Sequence, residues 1–225
     1  MTTTHVINGI HCIIKLPKIT PPEKGFSVAI LIHGWGGDET VMRFFDQMVP
    51  DTVAIIRPRA PIYLEDEDGY GWFDLRGVDE KEKSDAMVAA INRLVDFCKI
   101  LPQQHPIDAE RILLIGFSQG GIMSNYVALT QPELIMGIAP LAAKIREIPE
   151  TLTVVENLNN FPVFIAHGLN DDVIPIEEGR AARDLFIRLN ANVTYGEYTV
   201  GHKMNTQAVK DLKTWVHQQF GQAHS

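Results

Sequence analysis

The chain has 225 residues, 45% of them hydrophobic, which is enough to bury one large core. Its net charge is −8 and it has no long basic run, so nucleic acid and anionic membrane surfaces are poor partners. The N-terminus lacks the basic and apolar regions of a signal peptide, and no apolar run is long enough to span a bilayer. We therefore expect a cytoplasmic protein without stable membrane insertion.

Cysteine usage points to the same compartment. The only two cysteines, Cys12 and Cys98, form no C-x-x-C pair and have no metal-ligand spacing. We expect both to be buried structural thiols in a reducing environment, and we expect no metal site. The sequence leaves a bridge between the two thiols open.

The first half of the chain alternates apolar runs with helical patterns. Residues 6–16 predict an outer strand or hairpin, and the continuous apolar run 26–32 predicts a strand covered on both faces of a sheet. A glycine-rich loop, a helix over 40–48 and a strand over 52–56 follow. Residues 57–77 predict a long loop.

The longest helical pattern covers residues 79–101, with one apolar stripe, and Pro102 is expected to end it. The second half then continues the alternation. It predicts strands over 111–115, 134–139, 162–166 and 193–199, and helices over 121–129, 177–189 and 205–220.

This order of elements predicts one α/β domain over residues 1–225. Its central sheet is expected to be mostly parallel, with helices on both faces. Ligands of such sheets bind beyond the carboxyl ends of the strands, so functional residues are expected in the loops that follow strands.

The motif Gly116-Phe117-Ser118-Gln119-Gly120 lies between a predicted strand and a predicted helix. G-x-S-x-G in that context is the pattern of a nucleophile elbow, a sharp turn that presents a serine hydroxyl above the sheet. We therefore predict that Ser118 is a catalytic nucleophile.

A serine nucleophile needs a base, and the base needs an orienting acid, which follow the serine in the order acid and then histidine. His202 lies in a loop after the last predicted strand and is the expected base. His167 directly ends a strand and is expected to be structural. Asp171 and Asp172 both lie on the loop after the preceding strand, and the residues alone favour Asp171 without deciding between them.

The tetrahedral intermediate of acyl transfer also needs amide donors for its oxyanion. One donor is expected from the amide of Gln119, the residue after the nucleophile. The second is expected from the loop His33-Gly34-Trp35, where Trp35 offers its backbone amide.

Together these residues resemble the phospholipase/carboxylesterase family of α/β-hydrolases, which includes the acyl-protein thioesterases. The resemblance extends from about Ala29 to the end of the chain. The matching stretches are the oxyanion loop Leu31–Glu39, the segment Gly71-Trp72-Phe73-Asp74, the elbow Gly116–Gly121, the acid loop His167-Gly168-x-x-Asp171 and the pair Gly201-His202. The acid-loop match selects Asp171 over Asp172.

The resemblance implies an α/β-hydrolase fold without a cap domain, because residues 140–160 leave no room for one. It implies hydrolysis of a small-molecule carboxylic ester or thioester through an acyl-enzyme, with no metal or organic cofactor. Tyr70, Trp72 and Phe73 would be walls of an acyl groove. A homodimer is left open.

Two features of this chain bear on which substrates it could accept, and the first is a departure from the pattern of the family. Trp35 stands where many members have a smaller residue, and we expect its side chain to narrow the acyl site. The acidic run Glu65-Asp66-Glu67-Asp68 is expected to be a solvated loop, which would disfavour anionic substrates if it borders the entrance.

Two other functions remain compatible with the sequence. One is a different serine hydrolase on this scaffold, such as a peptidase or a lactonase, which the motifs do not separate from an esterase. The other is a catalytically silent binding module, although such proteins usually lack one residue of the triad.

Overall fold

The computed structural model describes residues 2–145, 148–149 and 151–221. Within these residues there are four α-helices, α1 (Glu80–Gln104), α2 (Gln119–Thr130), α3 (Ile176–Arg188) and α4 (Thr206–Gly221), and short 3₁₀ helices cover Val41–Met48, Glu65–Glu67 and Pro132–Leu134. The same residues contain ten strands, β1 (Thr2–Ile7), β2 (Ile10–Lys15), β3 (Phe26–Ile32), β4 (Ala54–Pro58), β5 (Ile62–Leu64), β6 (Gly69–Gly71), β7 (Ile107–Phe117), β8 (Gly137–Leu141), β9 (Pro162–Gly168) and β10 (Asn192–Tyr198).

Eight strands form one sheet in the order β1-β2-β4-β3-β7-β8-β9-β10. The six strands from β4 to β10 in that order are parallel, whereas β1 pairs antiparallel with β2, and β2 antiparallel with β4. The carboxyl ends of the parallel strands therefore meet at one edge. This arrangement confirms the predicted α/β-hydrolase fold with its mostly parallel sheet.

Both faces of the sheet are covered, and the alternation of side chains along β3 shows how. Val28, Ile30 and Ile32 pack into a core with α1, α2 and α3, while Ala29 and Leu31 pack into a second core on the opposite face. The 3₁₀ helix Val41–Met48 and α4 cover that second face. A strand buried on both sides has no polar face, which explains its continuous apolar sequence.

The N-terminal strands form a hairpin, the second of the two predicted alternatives for residues 6–16. Asn8 and Gly9, at φ 48° and 75°, make the two-residue turn. Positive φ at both central residues is what a tight hairpin turn requires, and Asn-Gly accepts it at low cost. The long loop 57–77 also contains a hairpin, formed by β5 and β6.

The prediction that Pro102 ends the long helix is wrong, because α1 continues through it to Gln104. Proline removes one backbone donor, but only two helical residues remain beyond Pro102. The amide of His105 donates to the carbonyl of Leu101 and closes the last turn. At the other end, Asp79 and Glu82 cap the helix reciprocally.

Other predicted elements also differ in kind or position. The helix over 40–48 is a 3₁₀ helix, and the strand expected over 134–139 is shifted to Gly137–Leu141. Pro132 begins a 3₁₀ turn instead, since proline suits the first position of a helical turn.

In the described part of the chain, no cap domain covers the sheet edge. Between β8 and β9, the described residues 142–145, 148–149 and 151–161 contain no helix and no strand. Residues 146, 147 and 150 of the segment that we predicted to be irregular lie outside the described part of the chain.

Both cysteines are buried and free. Cys12 lies on β2 and Cys98 on α1, within the core on the same face of the sheet. Burial raises the pKa of each thiol to about 12, with a smaller contribution from Glu39 at Cys12. The two residues are structural thiols, and the bridge that the sequence left open is not formed.

The described residues contain no helix that is both long enough and apolar enough to cross a membrane.

Candidate active site

Ser118 occupies a strained turn between β7 and α2. Its φ of 52° and ψ of −116° are unusual for a residue with a side chain. The turn is tight because a Cβ on Gly120 would collide with the carbonyl of Ile32, and one on Gly116 would collide with the carbonyl of Gly120. The amide of Ser118 donates to the carbonyl of Leu141 on β8 over 2.9 Å and anchors the turn. The hydroxyl is therefore held above the sheet edge.

A hydrogen-bonded chain connects Ser118 to two residues from other loops. The Oγ of Ser118 lies 2.9 Å from Nε2 of His202, and Nδ1 of His202 lies 2.8 Å from Oδ2 of Asp171. A carboxylate only accepts, so the proton of the neutral imidazole lies on Nδ1 and Nε2 is free to accept from the serine. The three residues that the sequence predicted to act together thus lie in the order needed for general-base activation.

The carboxylate of Asp171 is held on both oxygens. Its Oδ1 accepts from the amides of Ile174 at 2.8 Å and Val173 at 3.0 Å, while Oδ2 faces His202. Burial alone would raise the pKa of this carboxyl, but the Ile174 amide, the His202 imidazole and the Val173 amide together hold it below its ordinary value. Asp171 is therefore ionised at neutral pH. Asp172 is exposed.

His167 lies behind the acid loop and is buried. Its Nε2 is 2.8 Å from the carbonyl oxygen of Ile174, to which it donates, and 3.5 Å from Oδ2 of Asp171. The contact with a backbone carbonyl agrees with the structural role predicted for this histidine. It also holds the loop that carries Asp171.

The loop after β3 lies directly beside the nucleophile. A Cβ on Gly34 would be 3.1 Å from the Cβ of Ser118, so the backbone of this loop and the serine are in near contact. Among the described residues, none accepts a hydrogen bond from the Trp35 amide. Gln119 is the first residue of α2, where amides have no partner within the helix. Both predicted oxyanion donors are thus uncommitted amides near Ser118.

The side chain of Gln119 joins the elbow to the segment after β6. Its Oε1 accepts from the amide of Trp72 and its Nε2 donates to the carbonyl of Phe73, both at 2.7 Å. The indole of Trp72 donates in turn to the carbonyl of His33 at 3.0 Å. These bonds lock the elbow, the oxyanion loop and the Trp-Phe segment into one unit.

A groove of about 1390 Å³ opens at Ser118. Its wall is mostly apolar and comes from α1, α2, the acid loop and the segment between β8 and β9. The described lining includes Phe73, Leu75, Met87, Ile122, Tyr126, Ile148, Pro149, Val173 and Ile174, with Lys81, Lys83, Asp85 and Lys144 among the charged residues. Such a groove suits an apolar acyl or alcohol portion of a substrate.

Of the three residues predicted to wall this groove, only Phe73 lines it. Trp72 is 2% exposed, and its indole packs beside the ring of His33 instead. Tyr70 lies on the β5–β6 hairpin, where it stacks with Tyr63 and with the guanidinium of Arg59. The described lining of the groove does not include Tyr70 and Trp72, contrary to the prediction, because the Tyr70 ring packs on the hairpin and the Trp72 indole packs beside His33.

The expected effect of the Trp35 side chain on the groove is also wrong. The indole packs against Gly71, and the guanidinium of Arg76 lies 4.9 Å above its ring. Trp35 does not belong to the described lining of the groove. Arg76 also binds Asp74 and Asp66, so the exposed acidic run adjoins this stack and not the groove.

The sequence did not predict two groups of residues at this site. One is His33, which directly follows the buried strand β3 at the sheet edge where Ser118 also lies, a position that is visible in the sequence. The other comprises the apolar groove residues Met87, Ile122 and Val173. The groove residues come from separate elements, and only the packing of α1 against α2 brings them together.

The described residues contain no cluster of three or more histidine, cysteine, aspartate or glutamate side chains that could hold a metal ion.

Comparisons with known proteins identify the family of this chain. The sequence model of the family described as Phospholipase/Carboxylesterase matches residues 17–219. Acyl-protein thioesterase 1 of Debaryomyces hansenii is 25% identical over 222 residues, which are 90% of this chain and 94% of the relative. Esterase YpfH of Escherichia coli K12 is 22% identical over 196 residues, 85% of this chain and 82% of the relative.

Among solved structures, the Bacillus cereus carboxylesterase superposes with a TM-score of 0.80 at 21% identity, covering 94% of this chain and 95% of its own. At that identity the structural similarity supports the fold alone. The match to the family model spans most of the sequence and shows that the chain belongs to the phospholipase/carboxylesterase family of α/β-hydrolase enzymes.

Proposed function

We propose that the chain hydrolyses carboxylic esters or thioesters through an acyl-enzyme on Ser118. His202 is the general base and Asp171 holds its imidazole. The observation that carries the proposal is the continuous chain of 2.9 Å and 2.8 Å contacts from Ser118 through His202 to an ionised Asp171. A serine hydroxyl becomes nucleophilic when such a base accepts its proton.

In the first half-reaction, Oγ of Ser118 attacks the carbonyl carbon while its proton passes to Nε2 of His202. The carbonyl oxygen becomes an oxyanion, which the amides of Trp35 and Gln119 bind. The tetrahedral intermediate collapses, the bond to the alcohol or thiol breaks, and His202 gives its proton to the leaving group. The acyl group is then bound to Ser118.

In the second half-reaction, water attacks the acyl-enzyme and gives its proton to His202. Collapse of the second intermediate releases the carboxylic acid and returns the proton to Ser118. These steps use only side chains, backbone amides and water. The apolar groove beside Ser118 would hold the hydrocarbon portion of the substrate.

Ester and thioester substrates share this route, and the relatives named above include both an acyl-protein thioesterase and an esterase. Rates on a matched oxygen ester and thioester with the same acyl group would separate the two. A peptidase or lactonase would instead cleave amide or lactone members of the same substrate panel faster.

The decisive experiment traps the acyl-enzyme. The wild-type protein is mixed with a p-nitrophenyl ester, the reaction is quenched in acid, and the intact mass of the protein is measured by mass spectrometry. Ser118→Ala and Ser124→Ala are treated in parallel. Ser124 lies on the same helix and donates to the carbonyl of Gly120, so its removal tests for a general effect on α2. We expect an acyl adduct and turnover in the wild type and Ser124→Ala only. Turnover near wild type in folded Ser118→Ala would disprove the proposal.

A further inference from the structure

The peptide group between Gly34 and Trp35 is held by its carbonyl. The oxygen of Gly34 lies 2.7 Å from Nδ1 of His33 and accepts from the amide of Gly37 at 3.2 Å. The peptide is trans, so the N–H of Trp35 points in the opposite direction to that carbonyl. Fixing the Gly34 carbonyl therefore fixes the direction of the Trp35 amide, which the proposed function assigns to the oxyanion.

The tautomer of His33 follows from its second contact. Its Nε2 lies 2.9 Å from the amide nitrogen of Ala60, and a backbone amide only donates. Nε2 must therefore accept, which places the proton on Nδ1 and makes that atom the donor to Gly34. His33 is 0% exposed, and burial lowers its pKa, so the neutral ring is the stable form.

The ring of His33 has little room to move. The indole of Trp72 lies with its centroid 5.7 Å from that of the imidazole and donates to the His33 carbonyl at 3.0 Å. On the other side, a Cβ on Gly37 would be 2.9 Å from Nδ1. The donor to Gly34 is thus preorganised before any substrate arrives.

We propose that His33 is a positioning residue, which aims and polarises the Trp35 amide as an oxyanion donor through the Gly34 carbonyl. A hydrogen bond on the carbonyl of a peptide draws electron density from its N–H and strengthens the bond that the N–H donates, by about 10–30% for each such bond. The relay runs from the Ala60 amide through the imidazole to the Gly34–Trp35 peptide. The inference rests on the proposed function, because it assumes an oxyanion at Ser118.

Two substitutions separate the two contacts of His33. His33→Asn places an amide nitrogen near the position of Nδ1 and keeps a donor for Gly34, but loses the acceptor for Ala60. His33→Gln extends to the position of Nε2 and keeps an acceptor for Ala60, but loses the donor. His105→Gln is the control, because it replaces a partly buried histidine that precedes β7, at the opposite end of that strand from Ser118.

The two variants should differ in turnover and not in substrate binding. We expect His33→Gln to lower kcat by about 10- to 100-fold with KM within about twofold, which is below the 10²–10³ cost of removing a whole oxyanion donor. His33→Asn should recover kcat to within about fivefold of wild type. His105→Gln should match the wild type.

The inhibition constant of a trifluoromethyl ketone tests the role of His33 directly, because a purely structural role would leave this constant unchanged. The Oγ of Ser118 adds to its carbonyl carbon, the serine proton passes to His202, and the former carbonyl oxygen becomes a stable oxyanion. In His33→Gln the inhibition constant should rise by the same factor by which kcat/KM falls. The Trp35 amide proton should shift downfield on inhibition in the wild type and less in this variant.

The outcomes are distinguishable. If His33→Gln and His33→Asn lose kcat equally, or if ketone affinity is unchanged in folded His33→Gln, the inference is overturned. If His33→Gln does not fold, His33→Asn still decides, because a loss beyond 10² in that variant contradicts the role of the donor. If the wild type fails to bind the ketone and Ser118→Ala retains turnover, the proposed function itself is wrong.

Discussion

The Nδ1 of His202 lies 2.8 Å from Oδ2 of Asp171, while the adjacent carboxylate of Asp172 is exposed to solvent. Of these two neighbouring acids, only Asp171 therefore directs its carboxylate toward the imidazole of His202. The amides of Val173 and Ile174 hold Oδ1 of Asp171 and leave Oδ2 for the imidazole.

Asp171→Asn should lower kcat by about 10⁴, because the neutral amide no longer enforces the Nδ1–H tautomer of His202. Asp172→Asn is the matched control and should stay within about threefold of wild type. Steady-state kinetics on one ester, with circular dichroism for the fold, measures both. A larger loss in Asp172→Asn would show that the acid has been assigned to the wrong residue.

Trp35→Leu should leave the acyl-length profile unchanged, since the indole packs against Gly71 and under Arg76, outside the groove. The backbone amide remains in the variant, so turnover of an acetyl ester should fall less than tenfold, against 10²–10³ for a lost oxyanion donor. The measurement is kcat/KM for acetyl, butyryl and octanoyl esters. An increase in kcat/KM for the octanoyl ester alone would show that the indole of Trp35 contacts the acyl chain after all.

The contrasting change is Met87→Trp, which enlarges a side chain on α1 that lines the groove. It should lower kcat/KM for the octanoyl ester by about tenfold or more while sparing the acetyl ester, because about two methylenes lose burial at about 0.8 kcal/mol each. A uniform loss across all three lengths would indicate that chains of this size do not occupy the groove.

Gly116→Ala should destabilise the protein by about 2–3 kcal/mol, because the new Cβ would overlap the backbone of Gly120 and Gly121, which cannot move aside as a flexible side chain can. Gly221→Ala is the matched control, at a position where a Cβ meets nothing within 4 Å. It should change stability by less than about 0.5 kcal/mol or increase it slightly. Urea unfolding followed by circular dichroism gives both values, and equal stabilities would contradict the tight elbow.

The stability of the protein should depend on pH through His33. Burial lowers its pKa in the folded state, so the unfolded chain takes up a proton at a higher pH than the folded chain does. The stabilising contribution is complete above about pH 6.5 and is lost as pH falls through the lowered folded value.

Chemical denaturation from pH 8 to 5 should show a slope of up to about 1.4 kcal/mol per pH unit that is smaller in His33→Asn. The pKa of His105 is also lowered, by burial and by His5, and its contribution has the same sign. His105 is present in both proteins, so subtracting the free energy of unfolding of His33→Asn from that of the wild type removes the contribution of His105. Parallel curves for the two proteins would rule out His33 as the source.

The fold could be predicted because apolar runs and helical stripes alternate along the chain. Each misplaced element has a local cause: Pro132 begins a turn that delays β8, and Pro102 lies too near the end of α1 to stop it. Neither effect is visible in periodicity, because both depend on where the neighbouring elements end.

The residues that we propose to act in catalysis could be predicted because Ser118 directly follows β7, Asp171 and His202 lie in the loops after β9 and β10, and each carries side-chain chemistry of its own. The groove could not, since the direction of a side chain in a long loop depends on tertiary packing. Trp72 and Tyr70 have the composition of a binding surface, yet Gln119 bonds the backbone of Trp72 and turns its indole toward His33. The role that we propose for His33 was not predicted, because it would act through the backbone of Gly34.

The burial of both thiols should make them unreactive toward cysteine reagents. Burial raises the pKa of Cys12 and Cys98 to about 12, which disfavours the reactive thiolate, and both side chains lie in the core. A maleimide dye should therefore attach only to a cysteine introduced by mutation. Val173→Cys, at an exposed position on the rim of the groove, would place a fluorophore there and report substrate entry without removing either native cysteine.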